Sequence, residues 1–377
     1  MKRRRRQLGE GSQEPGLGHR SHWPPEKTLF ISTVAGTGLG FSLGDGGPAT
    51  AANLSSPRAL AIGSDGSVYV CENQGVIPSH RVRRIDRYGI IKTIAGTEKA
   101  GTLGDGGLAH AALLASPVAL ALGSDGSVYI SEYLRVRRID PDGVIATFAK
   151  LSSPTGLAIG PDGSVYIADN IDNRIRKVDP NGTIATIAGT GKAGSAGDGG
   201  PATSAELCHP FCLAIGADAS LYIGTADRIR RVNSNGIITT IAGTCEVQPL
   251  AKSPSKISRD IKRSVEGERR YRTKTGTKGS TREGRFAIDV DIRPSHLTIA
   301  PDGSLYVAEG RRNQVRMINP EGTITTIAGT GAKGSIGDGE PAIDSQLNWP
   351  CGLALAPDGS LYIAEGMGHR IRRVAWG

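Results

Sequence analysis

The sequence predicts an all-β fold: a six-bladed β-propeller of four-stranded antiparallel blades, its ring closed by an N-terminal strand that completes the last blade. Three observations carry this expectation. The phrase DGSVY, or a near copy, recurs around Tyr69, Tyr129, Tyr166, Tyr222, Tyr306 and Tyr362. Each copy sits inside a longer unit of four short strand-like runs separated by turn residues. The final unit lacks its fourth run, and a run of that kind stands alone at the start of the chain. Repeats of this length mark solenoids and propellers, in which one supersecondary unit buries its faces against the next.

The clearest unit is PTGLAIGPDGSVYIADNIDNRIRKVDPNGTIATIAG, residues 154–189. GLAIG is apolar, too short for a helix and bounded by turn residues, so it reads as an inner strand. PDG presets a turn with proline and closes it with a glycine tolerant of positive φ. SVYIAD and RIRKVD alternate apolar and polar residues, as half-buried strands do. The dipeptide NG then turns the chain into TIATIAG, rich in β-branched residues. Four such strands repeated radially leave only short, protected edges. The composition agrees, since 53 of 377 residues are glycine and only 5% are aromatic, which favours many turns and short strands.

The count closes. The last unit starts at Pro350 and ends at HRIRRVAWG without its IxTIAG strand, while LFISTVAG, residues 29–36, precedes the first repeat proline, Pro57. This N-terminal segment is expected to finish the sixth blade.

The wording IAGTG…GDGGPA…L…P…GLA…DG.LYIAD…N.RIRKVD resembles the NHL-repeat six-bladed propellers, and within them the NHL domains of teneurins and related bacterial repeat proteins. The resemblance covers about residues 28–243 and 290–377. It implies a scaffold whose faces bind a protein or a glycan-bearing surface, in an extracellular or cell-surface setting. Other propellers of this shape, the gluconolactonase-like hydrolases and NHL-type lyases, imply the alternative of a metal-dependent enzyme with a central-channel site.

Four inter-blade connections carry one glycine-rich loop, with its aspartate at Asp45, Asp105, Asp198 or Asp338. Each aspartate stands nine residues after the glycine of its AG (Gly36, Gly96, Gly189, Gly329) and twelve before the next proline (Pro57, Pro117, Pro210, Pro350). No GK[ST] follows, so the loop is not a P-loop, and one carboxylate per loop falls short of the six to eight oxygens calcium takes. A connector is expected instead. Its aspartate would accept hydrogen bonds from glycine N–H groups, and Pro48, Pro201 and Pro341 would open a short helical turn. Ala49, Ala52 and Leu54, with Ala202, Ala205 and Leu207, would anchor that turn.

Repeated charges have a structural reading too. Glu72, Glu132, Asp169, Glu309 and Glu365 stand three residues after the repeat tyrosine, with Thr225 in the fourth blade. Arg83, Arg137, Arg176, Arg230, Arg316 and Arg372 stand on facing strands. Cross-strand pairing at a few tenths of a kcal/mol each is the expectation.

Specific chemistry is expected where the repeats disagree. Two positions after the repeat proline stand Ala59, Ala119, Gly156, Cys212, His296 and Gly352; one position after it stand Arg58, Val118, Thr155, Phe211, Ser295 and Cys351. If the ring is an enzyme, Arg58, His209 and His296 are the candidates for a channel site. A catalytic zinc takes three protein ligands, and three in register are not found, so no metal, cofactor or catalytic residue is assigned. The cysteines are Cys71, Cys208, Cys212, Cys245 and Cys351, an odd number without paired spacing, which does not read as a disulfide framework.

The formal charge is +9, but residues 1–27 carry +4 and residues 251–286 carry +8, leaving the body at −3. A nucleic-acid binder carries its basic footprint on the folded face, and a body this acidic and poor in aromatics argues against that class. Residues 1–27 read as a disordered basic tail, with no apolar core that would make them a secretory signal. A second disordered basic stretch, about residues 246–286, swells the connection between blades four and five, where the distance from Gly243 to Pro294 far exceeds the usual spacing. It is either a basic arm or a stretch foreign to the ring. Between blades two and three the loop is missing, as AKLSSP leads straight to Pro154. No run approaches the length of a transmembrane helix.

Overall fold

A computed structural model describes residues 28–73, 79–244 and 284–377. The expected tail at 1–27, Cys245 and most of the expected insertion lie outside the described residues.

Six antiparallel sheets form the ring. Blade 1 contains strands Pro57–Ile62, Val68–Asn73, His80–Ile85 and Ile91–Thr97 in sheet order. Blade 2 has Ala119–Leu122, Val128–Glu132, Arg135–Ile139 and Val144–Lys150, and blade 3 has Pro154–Ile159, Val165–Asp169, Arg174–Val178 and Ile184–Ala188. Blade 4 has Cys212–Ile215, Leu221–Gly224, Ile229–Val232 and Ile238–Ala242; blade 5 has His296–Ile299, Leu305–Glu309, Gln314–Ile318 and Thr323–Ala328. Blade 6 joins Pro350–Leu355, Leu361–Glu365 and Arg370–Trp376 to the N-terminal strand Leu29–Ala35, paired antiparallel from Leu29 opposite Trp376 to Ala35 opposite Ile371. The two ends of the chain therefore close the ring. Innermost strands of consecutive blades pack side by side, and the sixth packs on the first.

The core lies between blades. One cluster joins Ala168, Ile175 and Ala188 of blade 3 to Leu213, Leu221, Ile223, Val232 and Ile238 of blade 4, with the loop residues Ala202, Ala205 and Leu207 sealing its outer end. Ala49, Ala52 and Leu54 do the same between blades 6 and 1. Each such buried leucine or isoleucine contributes about 1.5–3 kcal/mol. The loop helical turns, Ala49–Ala51 and Ala202–Ser204, start one residue later than the prolines suggested; Pro48 and Pro201 stand just outside them with extended ψ.

A bulge recurs in all six blades. Pairing between the third and outermost strands slips by one residue next to the repeat arginine, as between Val82/Arg83 and Ile229/Arg230. A bulge bends the strand and leaves backbone groups unpaired. Those groups become docking points for the loops.

The swollen connection retains part of the loop. Residues Arg285–Phe286, which the sequence placed in the disordered insertion, pair with the outermost strand of blade 5, and Ala287–Asp289 form the short helical turn. Ala287, Val290 and Ile292 fill the places that Ala202, Ala205 and Leu207 take in blade 4.

Because one strand of blade 6 comes from the other end of the chain, deleting residues 1–35 should leave three strands and an open ring. The expected outcome is loss of the single cooperative thermal transition, read by circular dichroism, with aggregation through the exposed edge.

Candidate functional site

Antiparallel register puts several groups on one face. Pro57 pairs with Glu72 and Pro350 with Glu365, so the leading ends of the innermost strands and the trailing ends of the second strands share the channel mouth. The inter-blade loops lead into this mouth.

Each loop aspartate is a peg for a buried arginine of the blade that follows. Arg83 donates to Asp45 Oδ1 from Nε (3.0 Å) and Nη2 (2.7 Å), to the Asn53 and Leu43 carbonyls, and to Glu72 at 3.3 Å. Arg230 grips Asp198 with the same two nitrogens, at 3.0 and 2.5 Å. Arg137 reaches Asp105 at 2.5 Å and Arg372 reaches Asp338 at 2.7 Å. The second carboxylate oxygen of Asp45 accepts the N–H of Thr93, and that of Asp198 accepts the N–H of Thr240, both at the bulge. The glycine N–H partners expected from sequence are thus replaced by an arginine and a bulge N–H, because the loop reaches across the next blade. Burial alone would raise the Asp45, Asp105 and Asp198 carboxyls, but bonds to the bulge threonine and the guanidinium hold them below the ordinary range.

The pairing energy expected from sequence also needs correction. Arg83, Arg137, Arg230, Arg316 and Arg372 are buried, as are Glu72, Glu132, Asp169, Glu309 and Glu365. Breaking a buried pair costs about 3–5 kcal/mol, far above the surface-pair value. Burial pushes the carboxyls of Glu72, Glu132 and Asp169 up and takes Glu365 to about 7, against the pull of Arg372. These carboxylates also hold the chain entering the innermost strand: Glu132 accepts the Ala115 N–H, Asp169 that of Ser153 and Glu365 that of Asn348.

Fasteners from blade to blade complete the mouth. Residues just before the repeat proline take positive φ without being glycine, namely Ser56, Ser116, His209 and Trp349. A side chain of the preceding blade receives each of their N–H groups: His369 and His80 through Nδ1, Asn173 and Asn313 through Oδ1. Sequence reasoning missed these four, although their fixed place at the head of the third strand was a usable signal. A further chain of bonds ends on the proline carbonyls, from Ser131 to Pro154, Thr155 to Pro210, Ser295 to Pro350 and Cys351 to Pro57.

The three candidate residues stand on separate blades, with blades 1 and 4 opposite one another. His209 is the strained residue held by Asn173. His296 accepts the Leu353 N–H of blade 6 at 3.3 Å, in a position where close blade approach favours glycine. A Cβ on Gly352 would lie 2.7 Å from the Arg58 carbonyl, and one on Gly156 would lie 2.8 Å from that of Phe211. Arg58, at the innermost-strand bulge of blade 1, is partly exposed, and its Nε has no hydrogen-bond partner among the described residues. Among the described residues no three His, Cys, Asp or Glu side chains gather as a metal-binding group. Cys71, Cys208, Cys212 and Cys351 are free; burial raises all four thiols, Cys71 to about 12, which keeps them protonated and unreactive near neutrality.

Two outcomes test this wiring. Arg83→Met should cost about 3–5 kcal/mol in denaturant unfolding, because Glu72 stays buried without its guanidinium, whereas Arg176→Met, at a partly exposed pair, should cost about 1 kcal/mol or less. His296 is pushed down to about 4 by burial, from an ordinary value of about 6.5. Its neutral form is the one the fold favours, so its contribution is complete above pH 6.5 and declines as pH falls towards 4. The stability gap between the parent and His296→Leu should therefore narrow across that window in pH-dependent melts.

The family model of the Teneurin NHL domain matches residues 41–103, 103–153, 142–196 and 190–265. Teneurin-3 of Danio rerio is 28% identical over 355 residues, covering 76% of this chain and 13% of its own length. The chain thus spans about an eighth of the curated relatives it matches. Among solved structures, an auxiliary nutrient binding protein of Bacteroides thetaiotaomicron superposes with a TM-score of 0.62 at 14% identity, covering 93% of this chain and 77% of that one. An inactive variant of virginiamycin B lyase from Staphylococcus aureus, with quinupristin, gives 0.51 at 15% identity, covering 92% and 99%. Binding protein and lyase share this shape, so the likeness speaks to fold alone. With matches running across residues 41–265 and the repeat continuing through blade 6, the chain belongs to the Teneurin NHL domain family.

Proposed function

We propose that the chain is a non-enzymatic scaffold that binds a protein partner through the rim bearing its inter-blade loops. One observation carries the reading. Two residues before the loop aspartate, Leu43, Leu103 and Ile336 are each more than half exposed, on loops pegged to buried arginines. Large aliphatic side chains held in water on a rigid base lose little entropy on association and gain their burial energy from a partner. Their aliphatic character favours a protein over a glycan. Membership of the family supports the same role, and the mouth's polar groups largely serve the fold itself.

A second reading, a lyase- or lactonase-like channel enzyme, has Arg58 in its favour, a cation at the mouth whose Nε is unpartnered. Arg58, His209 and His296 are the residues it would use.

The two readings separate in one experiment. The intact chain and a Leu43→Asp/Leu103→Asp/Ile336→Asp variant of unchanged melting temperature are used to capture proteins from a lysate of the source organism, and metal content per chain is measured alongside. The scaffold reading expects a partner that the parent retains and the variant loses. One tightly held metal per chain, lost together with lactone or depsipeptide turnover in His296→Ala, would overturn it.

A further inference from the structure

Blade 3 lacks what every other blade is given. The connection before it, residues 151–153, is too short to carry a loop, and Lys150 stands where the other connections have the glycine that starts one. At Gly189 that glycine has φ +91, and a Cβ there would lie 2.2 Å from the Asn173 carbonyl.

Three vacancies coincide. The isoleucine near the start of the outermost strand is sealed by loop residues in five blades, with Ile31, Ile91, Ile145, Ile238 and Ile324 at 0–1% exposure; its blade 3 counterpart, Ile184, is 48% exposed. Arg176 is 25% exposed, against 0–3% for Arg83, Arg137, Arg316 and Arg372. In blade 1 the loop also pairs with the outermost strand: Gly46 N–H donates to the Ile91 carbonyl, Ile91 N–H to Gly47, and Ala49 N–H to Gly89. The same sites at Ile184 and Gly182 have no loop to serve them. Between them lies a cleft of about 440 Å³ lined by Lys150, Asp169, Asp172, Arg176 and Ile184, among others.

We propose that this cleft is a docking groove for an extended segment of a partner protein in which an aspartate is flanked by glycines, laid along strand Ile184–Ala188 as a fifth strand. The chain's own loops define the occupant. LGDGGPA of blade 1 and AGDGGPA of blade 4 make these contacts within the chain, and the groove has the same strand edge, the same isoleucine and the same arginine. Addition of a strand to an open edge supplies backbone bonds, while the carboxylate–guanidinium pair supplies selectivity. Asp172, 3.2 Å from Arg176 Nη2, occupies part of the carboxylate place, and Asp169 is 4.0 Å away; Thr186 receives Nη1 at 2.5 Å. Asp172 lies on a turn and is the group the incoming aspartate displaces.

The groove supplies a partner chemistry for the scaffold reading, but it lies on a blade without a rim leucine or isoleucine loop. A failure here therefore leaves the rim reading intact, and a partner lost with the rim variant would still bind Arg176→Gln.

The test uses the full chain and a synthetic peptide copying residues 194–207, GSAGDGGPATSAEL, followed by fluorescence anisotropy. Saturable one-to-one binding is expected, weakened at least about tenfold by replacing the peptide aspartate with asparagine and to a similar degree by Arg176→Gln or Ile184→Asp. Asp172→Ala should bind as well or better. A chain with the same loop grafted between Lys150 and Pro154 should melt higher and bind no peptide. Ile184→Asp alters an exposed side chain, so it remains informative if Arg176→Gln folds poorly. Absence of saturable binding, or binding indifferent to the peptide aspartate, to Ile184→Asp and to the graft, would overturn the proposal.

Discussion

The structure depends on a buried guanidinium held between carboxylates on two sides. In blades 1, 2 and 6 one arginine lies between a carboxylate of its own second strand and the aspartate of the incoming loop. A buried arginine is tolerable only when its donors are satisfied and its charge is matched, and Arg83 achieves this with two carboxylates and two carbonyls. The clamp couples three parts that a four-stranded sheet leaves independent: the blade interior, the bulged outer strand and the connection from the previous blade. It also places the loop over the outer edge, where an open strand would invite aggregation.

Strain at the mouth follows from the same arrangement. The chain leaves a loop and enters an innermost strand through a residue with positive φ that is not glycine, as at Ser116 and His209. Such a conformation persists where the surroundings over-determine it. Here the preceding blade contributes an asparagine or histidine acceptor and, in several blades, a carboxylate takes an N–H from the same segment. Groups that look catalytic in isolation, His80, His369 and His296, are backbone acceptors in this setting. Each works as neutral imidazole, and burial holds each below the ordinary histidine range.

Departures from six-fold symmetry acquire meaning against this background. Blade 4 has Thr225 in place of the second-strand carboxylate, and its Arg230 keeps the same two-nitrogen grip on Asp198 that Arg83 has on Asp45. Blade 5 keeps the sealing end of its loop despite the long insertion. Blade 3 keeps the arginine and the isoleucine but not the loop, and there Asp172 supplies charge without covering the edge.

Much of this was legible in the sequence. Turn dipeptides, two-residue alternation and a register kept through six units determine the blades, because strand length and turn geometry are local properties. The missing fourth strand of the last unit, matched by LFISTVAG at the start, determined closure by counting. The constant spacing of Asp45, Asp105, Asp198 and Asp338 showed a shared structural device. Only the tertiary structure decided what the device grips. Asp45 and Arg83 are 38 residues apart, and the bulge that brings Thr93 to the same carboxylate has no local signature. Burial separated a weak surface pair from a clamp, and it exposed Ile184 where five counterparts are covered. Sequence records which residues repeat; solvent exclusion, which comes only from packing blade on blade, decides what each repeated charge is worth.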